Sequence, residues 1–388
     1  MRFFLNNSVK LCVFSVSVLI ITLSSCRKEN EIIPTPIETT QGFYLLNEGN
    51  MGTNKCTLDY YDFETGTYHR NIYAGVNPHV PKELGDVGND LLIYGSKMYA
   101  VISCSNKIEV MEAKTAKRIG QIEIPNCHNV ICSNGYLYVT SYAGTVVVGP
   151  NQQIGYVAKI DTTSLQITDR CNVGFQPDGL DIANGKIYVA NSGGYLIPNY
   201  ENSVSVIDLG TFKETRRITV SLNLHRVCAD KHGNVWVSAR GDYLNTPSKL
   251  YCINAQTDQL TDSINIPVSN FYLDEDKLYI ISAIWGSTNN EISYKIVDVV
   301  SKQIISNNFI TDGTTSEIKM PYGIAVDPRT KDIYVTDAKN YVTPGTLYCF
   351  DKEGKQKWNV RTGDIPAHFA FLKKSENYLT AMDAKNAQ

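Results

Sequence analysis

Cysteine motifs are missing from this 388-residue sequence, although it contains ten cysteines. No two cysteines form a CxxC pair, and none alternate with histidine at the spacing of a zinc site, which argues against a structural metal or a dithiol centre. Cys228, Cys252 and Cys349 fall within alternating strand patterns and are predicted to be buried thiols. A disulfide stays open as an alternative for a chain outside the cytoplasm.

Catalytic motifs and an excess of one charge are also missing. There is no GxSxG segment, and the spacing of serine, histidine and aspartate does not define a hydrolytic triad. The 36 basic and 39 acidic residues nearly balance and form no basic stripe, which argues against nucleic acid as a partner. We therefore expect no catalytic residues, no bound metal, no cofactor and no enzymatic activity.

The apolar run near the N-terminus, residues 11–23, is too short to span a bilayer comfortably. It ends in Leu23-Ser24-Ser25-Cys26, which resembles a bacterial lipoprotein signal. The resemblance implies a signal peptide over residues 1–25, acyl chains (palmitate type) on Cys26 and a lipid anchor in the outer membrane. Residues 26–41 lack a period and are predicted to be a tether. The charged segment 27–31 resembles the tag that directs Bacteroidetes lipoproteins to the cell exterior.

An aliphatic, aromatic, aliphatic triplet recurs after turns along the rest of the chain. The aromatic residues of successive copies lie 39 to 55 residues apart, the period expected of propeller blades with loop insertions. The aromatic residues are Tyr44, Tyr99, Tyr138, Tyr188, Trp236, Tyr279 and Tyr334.

One copy shows the whole unit. Residues 176–220 contain four β-type runs, and Asn184-Gly185 suits a tight hairpin turn because both positions tolerate a positive φ. A four-stranded sheet cannot bury both faces alone, so seven units over residues 42–388 predict an all-β, seven-bladed β-propeller of four-stranded antiparallel blades. A β-sandwich or a β-helix would not repeat so long a meander.

The first blade lacks an inner strand. Its own runs are Gly42–Glu48, Leu58–Phe63 and Tyr68–Tyr73, and His368–Leu372 has the alternation to supply the missing strand and close the ring. Asn377–Met382 competes as a further second strand. The remaining blades are predicted at 86–124, 129–173, 176–220, 224–266, 270–310 and 322–360.

Long connectors are predicted on only one face of the ring. Loops from second to third strands, such as 142–155 and 192–202, are long and rich in Tyr, Asn and Gly, whereas the opposite face has tight turns. Polar side chains at these strand ends could simply satisfy turn amides, but the number of loop aromatics favours ligand binding. The candidate contact residues are Tyr142, Asp178, Tyr195, Arg226, Arg240, Tyr243, Trp285 and Tyr322.

The repeated strand, the opening Asn47-Glu48-Gly49, and the blade entries Gln176-Pro177-Asp178-Gly179 and Met320-Pro321-Tyr322-Gly323 resemble the YncE-like propeller lipoproteins of Bacteroidetes. Within that group the chain is most similar to the BtuG type, which captures vitamin B12 above a TonB-dependent transporter, BtuB. The resemblance implies a cobamide (cobalamin) ligand, held without a covalent bond, and a BtuB-like partner. A histidine, His128, His225 or His368, is an open candidate for ligating cobalt.

Two other classes of function stay open. One is a surface module that docks glycans or proteins, which the loop aromatics would also suit. The other is a lactonase- or lyase-type propeller with a metal in the channel, but His225, Arg226 and Arg240 among the carboxylates would repel a cation.

Overall fold

The computed structural model describes residues 38–80, 83–145, 147–283 and 291–375. These residues form seven four-stranded antiparallel sheets, so the predicted seven-bladed β-propeller is confirmed. The strands run from Glu38, four residues before the predicted start of the propeller, to Ser375. The predicted signal, tether and lipidation site lie outside the described residues, except that positions 38–41 belong to the first strand.

The strands of the first four blades, in chain order, are β1 Glu38–Asn47, β2 Thr57–Asp62, β3 Thr67–His69; β4 Gly88–Tyr94, β5 Lys97–Ile102, β6 Lys107–Glu112, β7 Arg118–Glu123; β8 Cys127–Ser133, β9 Tyr136–Ser141, β10 Tyr156–Asp161, β11 Ile167–Asn172; β12 Pro177–Ala183, β13 Lys186–Asn191, β14 Ser203–Asp208 and β15 Lys213–Thr219. The remaining strands are β16 Leu224–Ala229, β17 Asn234–Ala239, β18 Lys249–Asn254, β19 Gln259–Ile264; β20 Asn270–Asp274, β21 Lys277–Ala283, β22 Ile292–Asp298, β23 Gln303–Ser306; β24 Pro321–Val326, β25 Ile333–Asp337, β26 Pro344–Phe350, β27 Gln356–Asp364 and β28 Pro366–Ser375.

The last strand closes the ring. β28 pairs antiparallel with β1 and is the innermost strand of the first blade, as predicted from His368–Leu372. The N–H groups of Glu48 and Gly49 also donate to the carbonyls of Ile365 and Asp364, at 2.8 and 3.1 Å. The first blade therefore combines both ends of the described chain, which removes an open sheet edge. The competing segment 377–382 lies outside the described residues.

The second strand of each blade is buried on both faces, which explains the repeated triplet. Its aromatic residue packs into the gap between blades, and the described residues form seven separate apolar clusters, one in each gap. Some aromatic polar groups also bond across the gap: the Tyr44 hydroxyl donates to the Ala113 carbonyl at 2.7 Å, and the Tyr188 hydroxyl donates to the carboxylate of Asp258 at 2.5 Å. Apolar burial and these bonds hold neighbouring blades together.

The prediction of a strand over Tyr68–Tyr73 was wrong after His69. β3 ends at His69, Asn71 has a φ of +47°, and a short helix, α1, follows at Ile72–Val76. The cause is Asp59, whose buried carboxylate accepts hydrogen bonds from the Tyr68 hydroxyl and the Asn71 N–H, both at 2.8 Å. These bonds turn the chain away from the sheet.

The eight cysteines of the described residues are all unpaired thiols. Cys252 and Cys349 are buried, as predicted, and Cys228 is half-buried. Burial raises the pKa of the Cys349 thiol to about 12, so that thiol stays protonated. Within the described ranges, no helix combines the length and apolar character needed to cross a bilayer.

Two glycines of the blade-entry motifs allow inner strands to approach closely. A Cβ at Gly179 would lie 2.5 Å from the carbonyl oxygen of His225, and one at Gly323 would lie 2.4 Å from that of Ala367. Both contacts join the inner strand of one blade to that of another: β12 to β16, and β24 to β28. A side chain at either glycine would force neighbouring blades apart.

We expect Gly179→Ala to lower the free energy of unfolding by about 1–3 kcal/mol, because the new methyl group has only backbone atoms to displace. Gly120→Ala is the matched control: its Cβ would meet nothing nearer than 4.0 Å, so the change should be small. Denaturant unfolding of both variants checks this. Equal stabilities would contradict the close approach.

We also expect Tyr188→Phe to cost about 1–2 kcal/mol of unfolding free energy, because it removes the hydroxyl that bonds Ala255 and Asp258 in the next blade. Tyr99→Phe is its control, since the buried Tyr99 hydroxyl has no partner among the described residues and its removal should be neutral or stabilising. Thermal unfolding of the two variants distinguishes them, and a larger loss in Tyr99→Phe would refute the role of the hydroxyl.

Candidate functional site

Most of the inner strands are bulged where they reach the long-loop face, β20 being regular. In the pairing of β12 with β13, Asp178 and Gly179 together oppose one residue, and in the pairing of β16 with β17 the same is true of His225 and Arg226. Equivalent irregularities occur at His128 and Asn129 of β8, at Tyr322 and Gly323 of β24, and at Asn89 of β4. A bulge inserts one residue and redirects side chains, so these positions depart from the regular alternation of the strand.

Hydroxyl side chains on the second strand stabilise the bulges. Thr140, Ser238 and Thr336 accept the freed N–H groups of Asn129, Arg226 and Gly323, at 3.0, 3.0 and 2.7 Å. Each hydroxyl follows the triplet aromatic by two residues and is fully buried. The extra backbone donor is therefore satisfied without water, which keeps the bulge rigid.

The bulged ends and the long loops enclose a cavity of about 680 Å³, which we call the cup. Blades one to five and blade seven all contribute side chains to it. The cup is lined by Glu48, Asn89, His128, Asn129, Tyr142, Asp178, Ser192, Gly194, Tyr195, Ile197, Tyr200, Asn223, His225, Arg226, Arg240, Tyr243 and Tyr322. An adjoining outer cavity of about 570 Å³ shares Arg240, Tyr243 and Tyr322 with the cup.

Asp178 and Arg240 form the ion pair of the cup. An Arg240 guanidinium nitrogen lies 3.4 Å from Asp178 Oδ2, and His225 Nε2 lies 3.8 Å from the same oxygen. Burial raises the pKa of Asp178, although Arg240 and Arg226 oppose the shift. Burial alone would lower the pKa of Arg240, but the charge of Asp178 together with Tyr243, Tyr142 and Tyr322 outweighs burial, and the net shift is upward. The guanidinium therefore stays charged in the cup.

A second polar chain joins the two ends of the ring. The Tyr322 hydroxyl donates to Glu48 Oε2 at 2.8 Å, and His368 Nε2 lies 3.0 Å from Glu48 Oε1. His368 Nδ1 in turn lies 4.0 Å from Asp90 Oδ1. Glu48 is thus held by hydrogen bonds from blade seven and from the closing strand.

His128 is held as a neutral imidazole. Its ring stacks on Tyr142 with 3.7 Å between centroids, and its nitrogens lie 3.3 Å from the Asn89 amide and 3.2 Å from Asn126 Oδ1. Burial, then the charges of Arg240 and Arg226, lower the pKa of His128 to about 3. The same causes lower the pKa of His225 well below its usual value. The imidazoles therefore carry no charge near neutral pH.

Several buried polar atoms around the cup have no protein partner among the described residues. They are Asn89 Oδ1, Asn223 Oδ1, His225 Nδ1 and Arg226 Nε. Buried polar groups without a partner are costly, and they normally bond to water or to a ligand. Four residues that line the cup carry such atoms, and this supports the cup as the candidate binding site.

The structure brings most of the sequence-predicted residues together. Trp285 lies outside the described residues, and the other seven candidates all line the cup: Tyr142, Asp178, Tyr195, Arg226, Arg240, Tyr243 and Tyr322. Tyr142, one of these candidate contact residues, is only 9% exposed, and its ring stacks on His128.

Other polar side chains at the strand ends bind backbone N–H groups of nearby turns, which was the alternative that the sequence left open. Asp337 accepts the N–H groups of Met320 and Lys339, both at 2.8 Å, and Asp86 accepts that of Gly52. Sequence reasoning missed Asn89 and Asn223, because Asn89 projects from a bulge and Asn223 from a short connector between blades. The hydroxyl two residues after the aromatic was the signal that could have located several of the bulges.

Within the described ranges, no three His, Cys, Asp or Glu side chains cluster closely enough to hold a metal ion.

Residues 41–384 match the model of a family described as "Domain of unknown function (DUF5074)". A search of curated proteins found no match. Among solved structures, the chain is similar to a periplasmic gluconolactonase of Pseudomonas aeruginosa, at 11% identity and a TM-score of 0.60, covering 85% of this chain and 99% of that one. It is also similar to a quinonprotein alcohol dehydrogenase-like protein of Bacteroides thetaiotaomicron VPI-5482, at 17% identity and a TM-score of 0.59, covering 86% of this chain and 79% of that one.

A third similar structure is hydrazine synthase of Kuenenia stuttgartiensis, at 16% identity and a TM-score of 0.52, covering 69% of this chain and 77% of that one. At these identities the likeness extends to the fold alone.

The neutral histidines predict that acid destabilises the fold. In the unfolded chain, His128 and His225 bind protons below about pH 6.5. In the folded chain the pKa of His128 is about 3 and that of His225 is well below its usual value, so these imidazoles stay neutral to lower pH. The free energy of unfolding therefore falls as the pH drops from about 6.5 toward 3. The loss is at most about 1.4 kcal/mol per pH unit for each histidine. Asp178, whose pKa is raised, acts in the opposite direction near and above pH 4.

Denaturant unfolding at pH 7 and pH 4.5 measures this dependence. We expect His128→Gln to reduce the loss at pH 4.5, and exposed His79→Gln, the control, to leave it unchanged. An identical pH profile for His128→Gln and the parent chain would contradict the neutral buried imidazole.

Proposed function

The chain belongs to the DUF5074 family, whose description names no activity, and from its cup we propose that it binds a cobamide without a covalent bond. In this proposal the protein is a BtuG-like lipoprotein anchored through Cys26 in the outer membrane, facing the cell exterior. It passes the ligand to a BtuB-like TonB-dependent transporter. The observation that carries the proposal is the wide tyrosine-lined cup with unpartnered buried polar atoms.

The size of the site supports a large ligand. Drug-sized ligands occupy sites of about 300–1,000 Å³, and the cup of about 680 Å³ continues into an outer cavity of about 570 Å³. A corrinoid is broader than most such ligands, and it would need both cavities. Tyr243, which is 55% exposed, stands where the two cavities meet.

The chemistry of the cup also supports a corrinoid. The macrocycle presents a broad face to aromatic rings, and Tyr195 and Tyr243 offer such surfaces at the rim. Its edge carries amides, which both donate and accept hydrogen bonds. Asn223 and Asn89 line the cup, and each has a buried amide oxygen without a partner among the described residues.

The rigidity of the cup would favour tight capture. Residues on bulged strands keep their positions through bonds such as Arg226 N–H to Ser238 Oγ at 3.0 Å, so less ordering is needed on binding. Trp285, a further candidate contact, lies outside the described residues.

A glycan-binding module is the second candidate. The tyrosine pair Tyr200 and Tyr243, with ring centroids 6.4 Å apart at the rim, favours it, because sugar rings also lie against aromatic faces. A channel-metal enzyme is disfavoured by Arg240 and Arg226, whose charges would repel a cation near Asp178.

Calorimetric titration of the full chain in detergent with cyanocobalamin tests the proposal. We expect saturable binding, with Tyr195→Ala and Tyr243→Ala each weakening it by roughly tenfold through loss of aromatic contact. Ile305→Ala, an exposed residue of outer strand β23, is the control and should bind like the parent chain. No binding of cyanocobalamin, together with retention on a glycan array, would replace the cobamide with a glycan.

A further inference from the structure

Arg226 is fixed at the floor of the cup. It lies on the bulge of β16, its N–H bonds Ser238 Oγ at 3.0 Å, and its Cα lies 3.1 Å from the position that a Cβ would take at Gly179. The backbone of Arg226 is thus clamped between its own blade and the preceding one. The side chain starts from a fixed point and needs little ordering to meet a ligand.

The other charged side chains that line the cup form an ion pair or side-chain hydrogen bonds with described residues, whereas the Arg226 side chain forms neither. Asp178 pairs with Arg240, and Glu48 accepts hydrogen bonds from Tyr322 and His368. Arg226 forms no ion pair and no side-chain hydrogen bond with any described residue, and its Nε is buried without an acceptor. An arginine in this state has its planar donor fork available.

The neighbouring histidines are neutral and add no further positive charge beside Arg226. The Arg226 and Arg240 charges add to burial in lowering the pKa of both His128 and His225, so both guanidiniums act on the same small volume. His225 Nδ1 is also buried without a partner. In the Nδ1–H tautomer it would donate a hydrogen bond toward an acceptor in the cup. Arg226 has no ion pair of its own and is therefore available to an oxyanion, in a cup whose lining carries two arginines and the two carboxylates Asp178 and Glu48.

We propose that Arg226, with His225 beside it, is the subsite for the anionic group of the ligand. For a cobamide, and therefore resting on the proposed function, that group is the phosphodiester that links the corrin to its nucleotide. Arg226 binds one or two phosphate oxygens through its guanidinium, and Asp178 keeps Arg240 engaged separately. The corrin itself lies against the tyrosine rim.

Paired ligands test this subsite. Cyanocobalamin carries the phosphodiester, whereas dicyanocobinamide has the same corrin without the nucleotide and its phosphate. We expect Arg226→Gln to lower the affinity for cyanocobalamin about ten- to a hundredfold, as loss of a charge-assisted contact does. The affinity for dicyanocobinamide should change less than about threefold. Arg226→Lys should recover part of the cyanocobalamin affinity, because it restores the charge but not the fork.

Arg216→Gln is the matched control. It removes the same charge from an exposed position on outer strand β15 and should change neither affinity. Thermal unfolding of each variant excludes misfolding. If Arg226→Gln weakens both ligands equally, or neither, the subsite is refuted while cobamide binding stands. If the parent chain binds neither ligand, the proposed function fails, and this inference fails with it.

Discussion

The structure depends on the pairing of its last described strand with its first. Neighbouring blades meet through apolar clusters, and each blade gains from having a neighbour on both sides. Without β28 beside β1, the first blade would have no inner strand and the cluster between blades seven and one would lose Phe369 and Phe371. Closure converts a row of marginal sheets into a body in which every wide face is covered.

The same closure determines which residues line the cup. A propeller forces its inner strands to converge, and they meet closely only where a side chain is absent, as at Gly179 and Gly323. Bulges then turn the next residues out of the regular alternation, and hydroxyls such as Ser238 satisfy the freed backbone N–H groups. The cup is therefore lined by positions that carry little of the packing between blades. Such positions can vary in chemistry while the ring is maintained.

The sequence predicted the fold well because its signals are repeated and local. The triplet centred on Tyr188 or Trp236 marks a strand buried on both faces, and seven copies define a ring. The face of the cup followed from loop lengths. What sequence could not give was the effect of contacts distant in the chain: Asp59 ends β3 by binding Asn71, and Tyr142 is buried by stacking on His128. Nor could the sequence show that Asp178 pairs with Arg240 in the cup, whereas Asp337 accepts hydrogen bonds from turn amides.

The bonds from Tyr322 and His368 to Glu48 join residues that are 274 and 320 positions apart in the chain. Glu48 leaves the ribosome early, yet its carboxylate acquires these partners only after the closing strand has been synthesised. A nascent or C-terminally shortened chain would hold an unpaired carboxylate at the floor of an incomplete cup. Completion of the cup is thereby linked to completion of synthesis.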